Sequence, residues 1–140
     1  MPIDKKLIVR KLSFIEDDIV KLKEIAKMKK EDFLKDIINQ TLVERYLERI
    51  IGRMIDINYH VLTETGNPAP KDYYTSFIEM GKKKFISFSL SQELAQFAGL
   101  RNIIAHEYNS IDYEKLWKGM RKFLKIFPEY LKDLNRLLKR

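Results

Sequence analysis

The chain contains no cysteine, which excludes a disulfide framework, a cysteine-ligated zinc cluster and a thiol nucleophile. This fits a reducing compartment without demanding one. No apolar run approaches the roughly 18 residues of a membrane-spanning helix. The opening MPIDKKLIVRKL scatters charges through its apolar positions, where a secretory signal needs an uninterrupted hydrophobic stretch. A cytoplasmic protein that does not engage membranes is therefore expected. Internal repeats and low-complexity segments are absent as well. With 140 residues, 34% of them charged and 45% hydrophobic, the chain can build one real core and is too short for two, so a single globular domain over residues 1–140 is expected.

The net charge of +7 is unevenly placed. From Tyr113 to Arg140 nine Lys or Arg face only Glu114, Glu129 and Asp133. Among them Lys115, Lys118, Arg121 and Lys122 are candidates for RNA contact, because such a patch attracts a polyanion through counterion release. A solvated helix face that keeps the protein soluble has the same composition.

Hydrophobic spacing gives the architecture. Leu7 to Met28 carries apolar residues at intervals of mostly three and four, an amphipathic helix that Lys29 to Asp32 interrupts. Phe33 to about Thr63 reads as the longest helix, with Ile38, Leu42, Tyr46, Ile50, Met54, Ile57 and Val61 as its stripe. Leu34, Leu47, Ile51, Ile55 and Leu62 widen that stripe enough to touch partners on two sides. Beside it stand Arg45, Arg49 and Arg53, which repel one another by a few tenths of a kcal/mol per pair unless something acidic faces them. Glu48, Asp56 or carboxylates of other helices would serve, and so would the phosphates of RNA. His60 continues this row and reads as structural.

Gly66, Pro68 and Pro70 break the chain. A shorter helix from about Lys71 ends at Gly81, and Lys82 to Lys84 follow its C-terminus. Phe85 to Leu90 alternates like a strand but has no strand to pair with, so a turn leading to Ser89 as a helix cap is expected, with Gln92 completing the capping box. The helix it opens runs toward Glu107, and Asn109 and Ser110 break it. A last helix starts near Ile111, halts at Pro128 and resumes at Tyr130. Five or six helices and no strand pair predict an all-α bundle.

Chemistry concentrates in Leu100 to Asp112, LRNIIAHEYNSID. Arg101, Asn102, His106 and Tyr108 fall within eight positions, separated by the apolar Ile103, Ile104 and Ala105. A titratable imidazole and a fixed cation are thus offered close together. A half-buried helix end where Arg and His merely cap carbonyls would look the same. No acidic cluster of the kind that holds Mg²⁺ accompanies these residues, so neither a metal nor a cofactor is expected.

The stretch resembles the R-x4-6-H signature of HEPN domains, and its fuller form RNxxxHxY is similar to the HepT branch of toxin ribonucleases. The resemblance implies a HEPN-like helical bundle with Arg101, Asn102 and His106 as catalytic residues of a metal-independent RNA endonuclease. It further implies that Tyr108 is the site at which an MntA-like nucleotidyltransferase antitoxin attaches AMP. RNA carries its own nucleophile in the 2′-hydroxyl, so cleavage needs only a proton acceptor or donor and a cation for the phosphorane's charge. On one helix Asn102 and His106 lie about 40° apart, whereas Arg101 and His106 lie about 140° apart. If both act on one phosphate, a two-fold homodimer with a composite active site is the simplest arrangement, and HEPN ribonucleases resemble it. The alternative is an inactive HEPN module that binds a partner protein or nucleotide, since fold alone does not fix activity.

Overall fold

The computed structural model describes residues 3–107, 109 and 111–140. These form six helices: α1 (Lys5–Ala26), α2 (Lys30–Phe33), α3 (Ile37–Glu64), α4 (Tyr73–Lys82), α5 (Phe88–His106) and α6 (Tyr113–Leu138). The described residues contain no strand, so the all-α expectation holds. α3 lies at the centre and packs against every other helix. Val43, Leu47, Ile50, Ile51, Met54, Ile57 and Val61 are fully buried along it, each contributing roughly 1.5–3 kcal/mol.

Side chains cap the helices where the sequence provides them. The Asp4 carboxylate accepts from the Leu7 amide at 3.1 Å at the start of α1. The Asp4 amide in turn donates to Nε2 of His60 at 3.0 Å, which ties α1 to the end of α3 and gives His60 a structural task. Asp72 accepts from the Thr75 amide at 2.7 Å to open α4. Its bonds to Thr75 hold that carboxyl below the usual range.

Several boundaries differ from the sequence expectations: α1 ends at Ala26 rather than Met28, and α4 starts at Tyr73 and α6 at Tyr113, each two residues later than expected. α3 begins at Ile37, because the Asp36 carboxylate accepts from the Asn39 amide at 3.0 Å and starts a new helix there. Phe33, expected to open the long helix, instead ends the separate α2. In consequence Leu34, Ile38 and Leu42, expected on the core stripe, are exposed. The cap of α5 is Ser87 rather than Ser89: its hydroxyl oxygen accepts from the Leu90 amide at 3.2 Å, and its own amide donates to the Asp133 carboxylate of α6 at 2.9 Å. Gly81 does not terminate α4, which continues to Lys82. A Cβ at Gly81 would collide with the Ser91 side chain and lie 3.2 Å from Cα of Phe88, so this glycine permits close approach of α5. Finally, Pro128 does not halt α6. The missing backbone bond costs about 3 kcal/mol. Buried Phe123, Phe127, Tyr130 and Leu134 around it each return a comparable amount, and the helix runs through.

A buried polar chain crosses the bundle. The Tyr130 hydroxyl donates to Oδ1 of Asn58 at 3.0 Å, Nδ2 of Asn58 donates to Oγ of Ser76 at 3.3 Å, and Oγ of Ser76 donates to the Tyr73 carbonyl at 2.7 Å. Burial pushes the Tyr130 phenol far above its ordinary value. The folded state therefore favours neutral Tyr130. Its contribution is complete below pH about 10, where an unfolded tyrosine is also protonated, and is lost as pH rises beyond that. Tyr130→Phe should lower stability at neutral pH by about 1–3 kcal/mol, since Asn58 keeps a buried acceptor without its donor. The same variant should flatten the alkaline fall in a melting series from pH 8 to 11.

Candidate functional site

α5 carries the signature on two different faces. Its core side, with Leu90, Leu94, Ala98 and Ile104 buried, fixes how the rest points. Asn102 and His106 are exposed, and His106 is the final helical residue. Arg101 is half-buried and points elsewhere. Its guanidinium carbon lies 5.5 Å from the ring centroid of Tyr73, a cation–π contact that holds the head group in place. Among the described residues its Nε is buried without a hydrogen-bond partner. Tyr108 falls outside the described residues.

Arg101 opens onto a groove of about 310 Å³ whose other walls are Tyr73 and one face of α3, including Arg45, Arg49, Gly52 and Arg53. The structure thus brings the arginine row of the long helix to the signature arginine. Asp18 of α1 orders the row: its Oδ2 lies 3.2 Å from Nε of Arg49 and 3.2 Å from Nη1 of Arg53. The Asp18 side chain is 1% exposed while the two arginines are 37% and 27% exposed. One buried carboxylate therefore anchors two guanidiniums that still reach the groove. Arg53 also lies over the Phe14 ring at 5.0 Å. Arg45 is tethered loosely, to Glu48 at 3.7 Å. With Asp56 bridged to Lys11 at 3.3 Å, the lining offers four guanidiniums against the carboxylates of Glu48 and Asp56, an excess of positive charge suited to phosphate.

The α6 cations lie apart from this groove. Nη1 of Arg121 donates to the Ala26 carbonyl at 2.7 Å, capping the end of α1. Lys122 lies 3.9 Å from Glu93, and Lys118 lies 3.8 Å from Glu114. Arg121 and Lys122 line a second, wider groove with Lys125 and Glu129. Lys115 is exposed on the first turn of α6 and lines neither groove.

Sequence reasoning missed Asp18, Tyr73 and Gly52. Asp18 was detectable: it interrupts the buried register Ile15, Leu22, Ile25 of α1 at a core-facing position, where an unpaired carboxylate would be costly. Tyr73 had no such signal, because only tertiary packing carries it to Arg101. The Tyr59 ring meets it edge to face at 6.4 Å, and the Tyr59 hydroxyl donates to the Pro70 carbonyl at 3.0 Å. Burial first, then Tyr73 and Asp72, push the Tyr59 phenol up.

Among the described residues no helix is long and apolar enough to cross a membrane. A family model described as Ribonuclease HepT-like matches residues 15–134. The chain is 29% identical over 136 residues to a tRNA nuclease HepT of Aphanizomenon flos-aquae, covering 97% of this chain and 92% of that one. It is 24% identical over 125 residues to an mRNA nuclease HepT of Shewanella oneidensis, covering 89% and 93%. A solved structure of the tri-AMPylated Shewanella oneidensis HEPN toxin in complex with MNT antitoxin superposes with a TM-score of 0.84 at 23% identity, covering 93% of this chain and 97% of that one.

Proposed function

Because this chain belongs to the HepT-like ribonuclease family, matched over residues 15–134, we propose that it is the RNA-cutting toxin of a toxin–antitoxin pair, a metal-independent endonuclease active as a homodimer. The observation that carries this reading is the division of the signature: Arg101 sits in an arginine groove while His106 stands exposed at the end of α5 on another face. A second copy related by a two-fold axis resolves the division by setting one copy's Arg101 groove against the other's His106. The surface for such contact is present. Ile38 and Leu42 are 70% and 37% exposed and share the α3 face that continues into Arg45 and Arg49, so apolar docking there leaves the groove at the rim.

In that site the 2′-hydroxyl of a ribose attacks the adjacent phosphorus. A proton leaves the 2′-oxygen, the bond to the 5′-oxygen breaks, and that oxygen takes a proton. The products are a 2′,3′-cyclic phosphate and a 5′-hydroxyl, with no oxidant or co-reactant. His106 carries one of the two protons, Arg101 offsets the charge on the phosphorane, and Asn102, exposed one turn before His106, orients the imidazole or the phosphate. The groove arginines hold flanking phosphates, and the antitoxin partner is a nucleotidyltransferase that adds AMP to Tyr108. The protein acts as a single domain in the cytoplasm.

Subunit mixing tests the composite site. Arg101→Ala and His106→Ala are each inactive as homodimers, but a heterodimer of the two keeps one intact site. After equilibration of equal amounts, half the dimers are mixed and each has one of two sites working, so activity should recover to about a quarter of wild type. Mixtures as inactive as their parts, with heterodimers confirmed by mass, would remove the shared site.

A further inference from the structure

We propose that Gly52 is the floor of a subsite for the RNA sugar–phosphate backbone, kept bare so that the strand can lie against α3 between the arginines. The inference rests on the ribonuclease reading and adds to it a substrate-binding position that no signature residue marks.

A glycine in the interior of a 28-residue helix weakens the helix, so its presence calls for a reason in packing or in binding. Packing gives none here. A Cβ built at Gly52 meets no atom within 4 Å, in contrast to Gly81, where a Cβ collides with Ser91 and crowds Phe88. The space above Gly52 is the arginine groove itself. Taking 100° per residue, Arg45, Arg49, Gly52 and Asp56 fall within about 60° of one another on α3, with Arg53 on the far side of Arg49, which places the missing side chain along one edge of the row. Any residue larger than glycine would stand between guanidiniums that Asp18 and Tyr73 hold in fixed positions.

The surroundings favour a polyanion over a protein surface. Arg45, Arg49, Arg53 and Arg101 converge on the groove, and their guanidiniums offer planar, charge-assisted donors suited to phosphate oxygens. Fixed guanidiniums beside a bare helix backbone suit an extended chain carrying regularly spaced charge.

The test compares Gly52→Ala and Gly52→Leu in an otherwise intact protein and in the His106→Ala background, where RNA binds without being cut. A labelled mixed tRNA pool is the probe, with affinity read by fluorescence anisotropy, fold by thermal melting and dimer mass by sedimentation. Gly52→Ala should melt about 2–4 °C above wild type, because alanine stabilises the helix in open space. It should nevertheless bind RNA about tenfold more weakly, and Gly52→Leu more weakly still, with cleavage falling in step and dimer mass unchanged. A more stable protein that binds RNA less well is the signature a structural glycine cannot give. Wild-type affinity in both variants would overturn the subsite while leaving the ribonuclease intact. Affinity that falls only together with dimer mass would assign the bare face to a second copy of the chain and likewise overturn it. A wild type that neither binds nor cuts the pool would overturn the ribonuclease reading and the subsite with it.

Discussion

His106→Ala should cut RNA roughly 10²- to 10⁴-fold more slowly than wild type, the range for loss of a general acid or base. Its melting temperature should not move, because His106 is exposed at the last position of α5 and fills no part of the core. Arg101→Ala should also lose activity for a different reason. Its guanidinium is held over Tyr73, and in the proposed site its task is to offset charge on the phosphorane, which a proton carrier does not do. If the proposed mechanism holds, with the 2′-hydroxyl as nucleophile and His106 carrying one of the two protons, the wild-type reaction should survive EDTA and leave a 2′,3′-cyclic phosphate. Cleavage by His106→Ala at the wild-type rate, or a requirement for Mg²⁺ in wild type, would show this mechanism to be wrong. Retained RNA affinity in the slow variant separates loss of chemistry from loss of binding.

Helix order was legible because each amphipathic stripe is long enough to fix its own period. Boundaries were less so, since two were set by partners far along the chain. Ser87 caps α5 with its amide bonded to Asp133, 46 residues away, and no local pattern distinguishes it from Ser89. α6 passes Pro128 because tertiary burial outweighs one missing backbone bond, a comparison that needs the packed core. The site shows the same division. Arg101, Asn102 and His106 were visible as a short dense cluster, and their divergent directions follow from helix geometry alone. The arginine row of α3 was also visible, but whether carboxylates or phosphates faced it was open; the structure shows the Asp18 carboxylate against Arg49 and Arg53 and a groove on the row's other side. That Arg101 joins the row depends on how α3, α4 and α5 pack, which spacing within one helix does not encode.

Attachment of AMP at Tyr108 should silence the protein. Tyr108 lies two residues beyond His106, the last residue of α5, and seven beyond Arg101, so a group added there is tethered close to the imidazole along the chain. AMP brings a phosphate and a base on a flexible linkage. Its charge would be drawn to cations near the signature, Arg101, Lys115 or Lys118. A tethered anion competes at high effective concentration for the place an RNA phosphate would take. These 140 residues lack the Gly-Ser and paired-aspartate pattern of a nucleotidyltransferase, and the modifying activity is expected from a nucleotidyltransferase partner. Co-expression with that enzyme, followed by intact-mass measurement, should show AMP-sized increments on wild type and none on Tyr108→Phe. The Phe variant should cut RNA in isolation and continue to arrest growth when the partner is present, while modified wild type does neither. Increments that persist in Tyr108→Phe would move the modification to another residue. A Phe variant that cuts RNA yet is still neutralised without modification would mean that inhibition comes from the bound partner covering the site rather than from the AMP it adds.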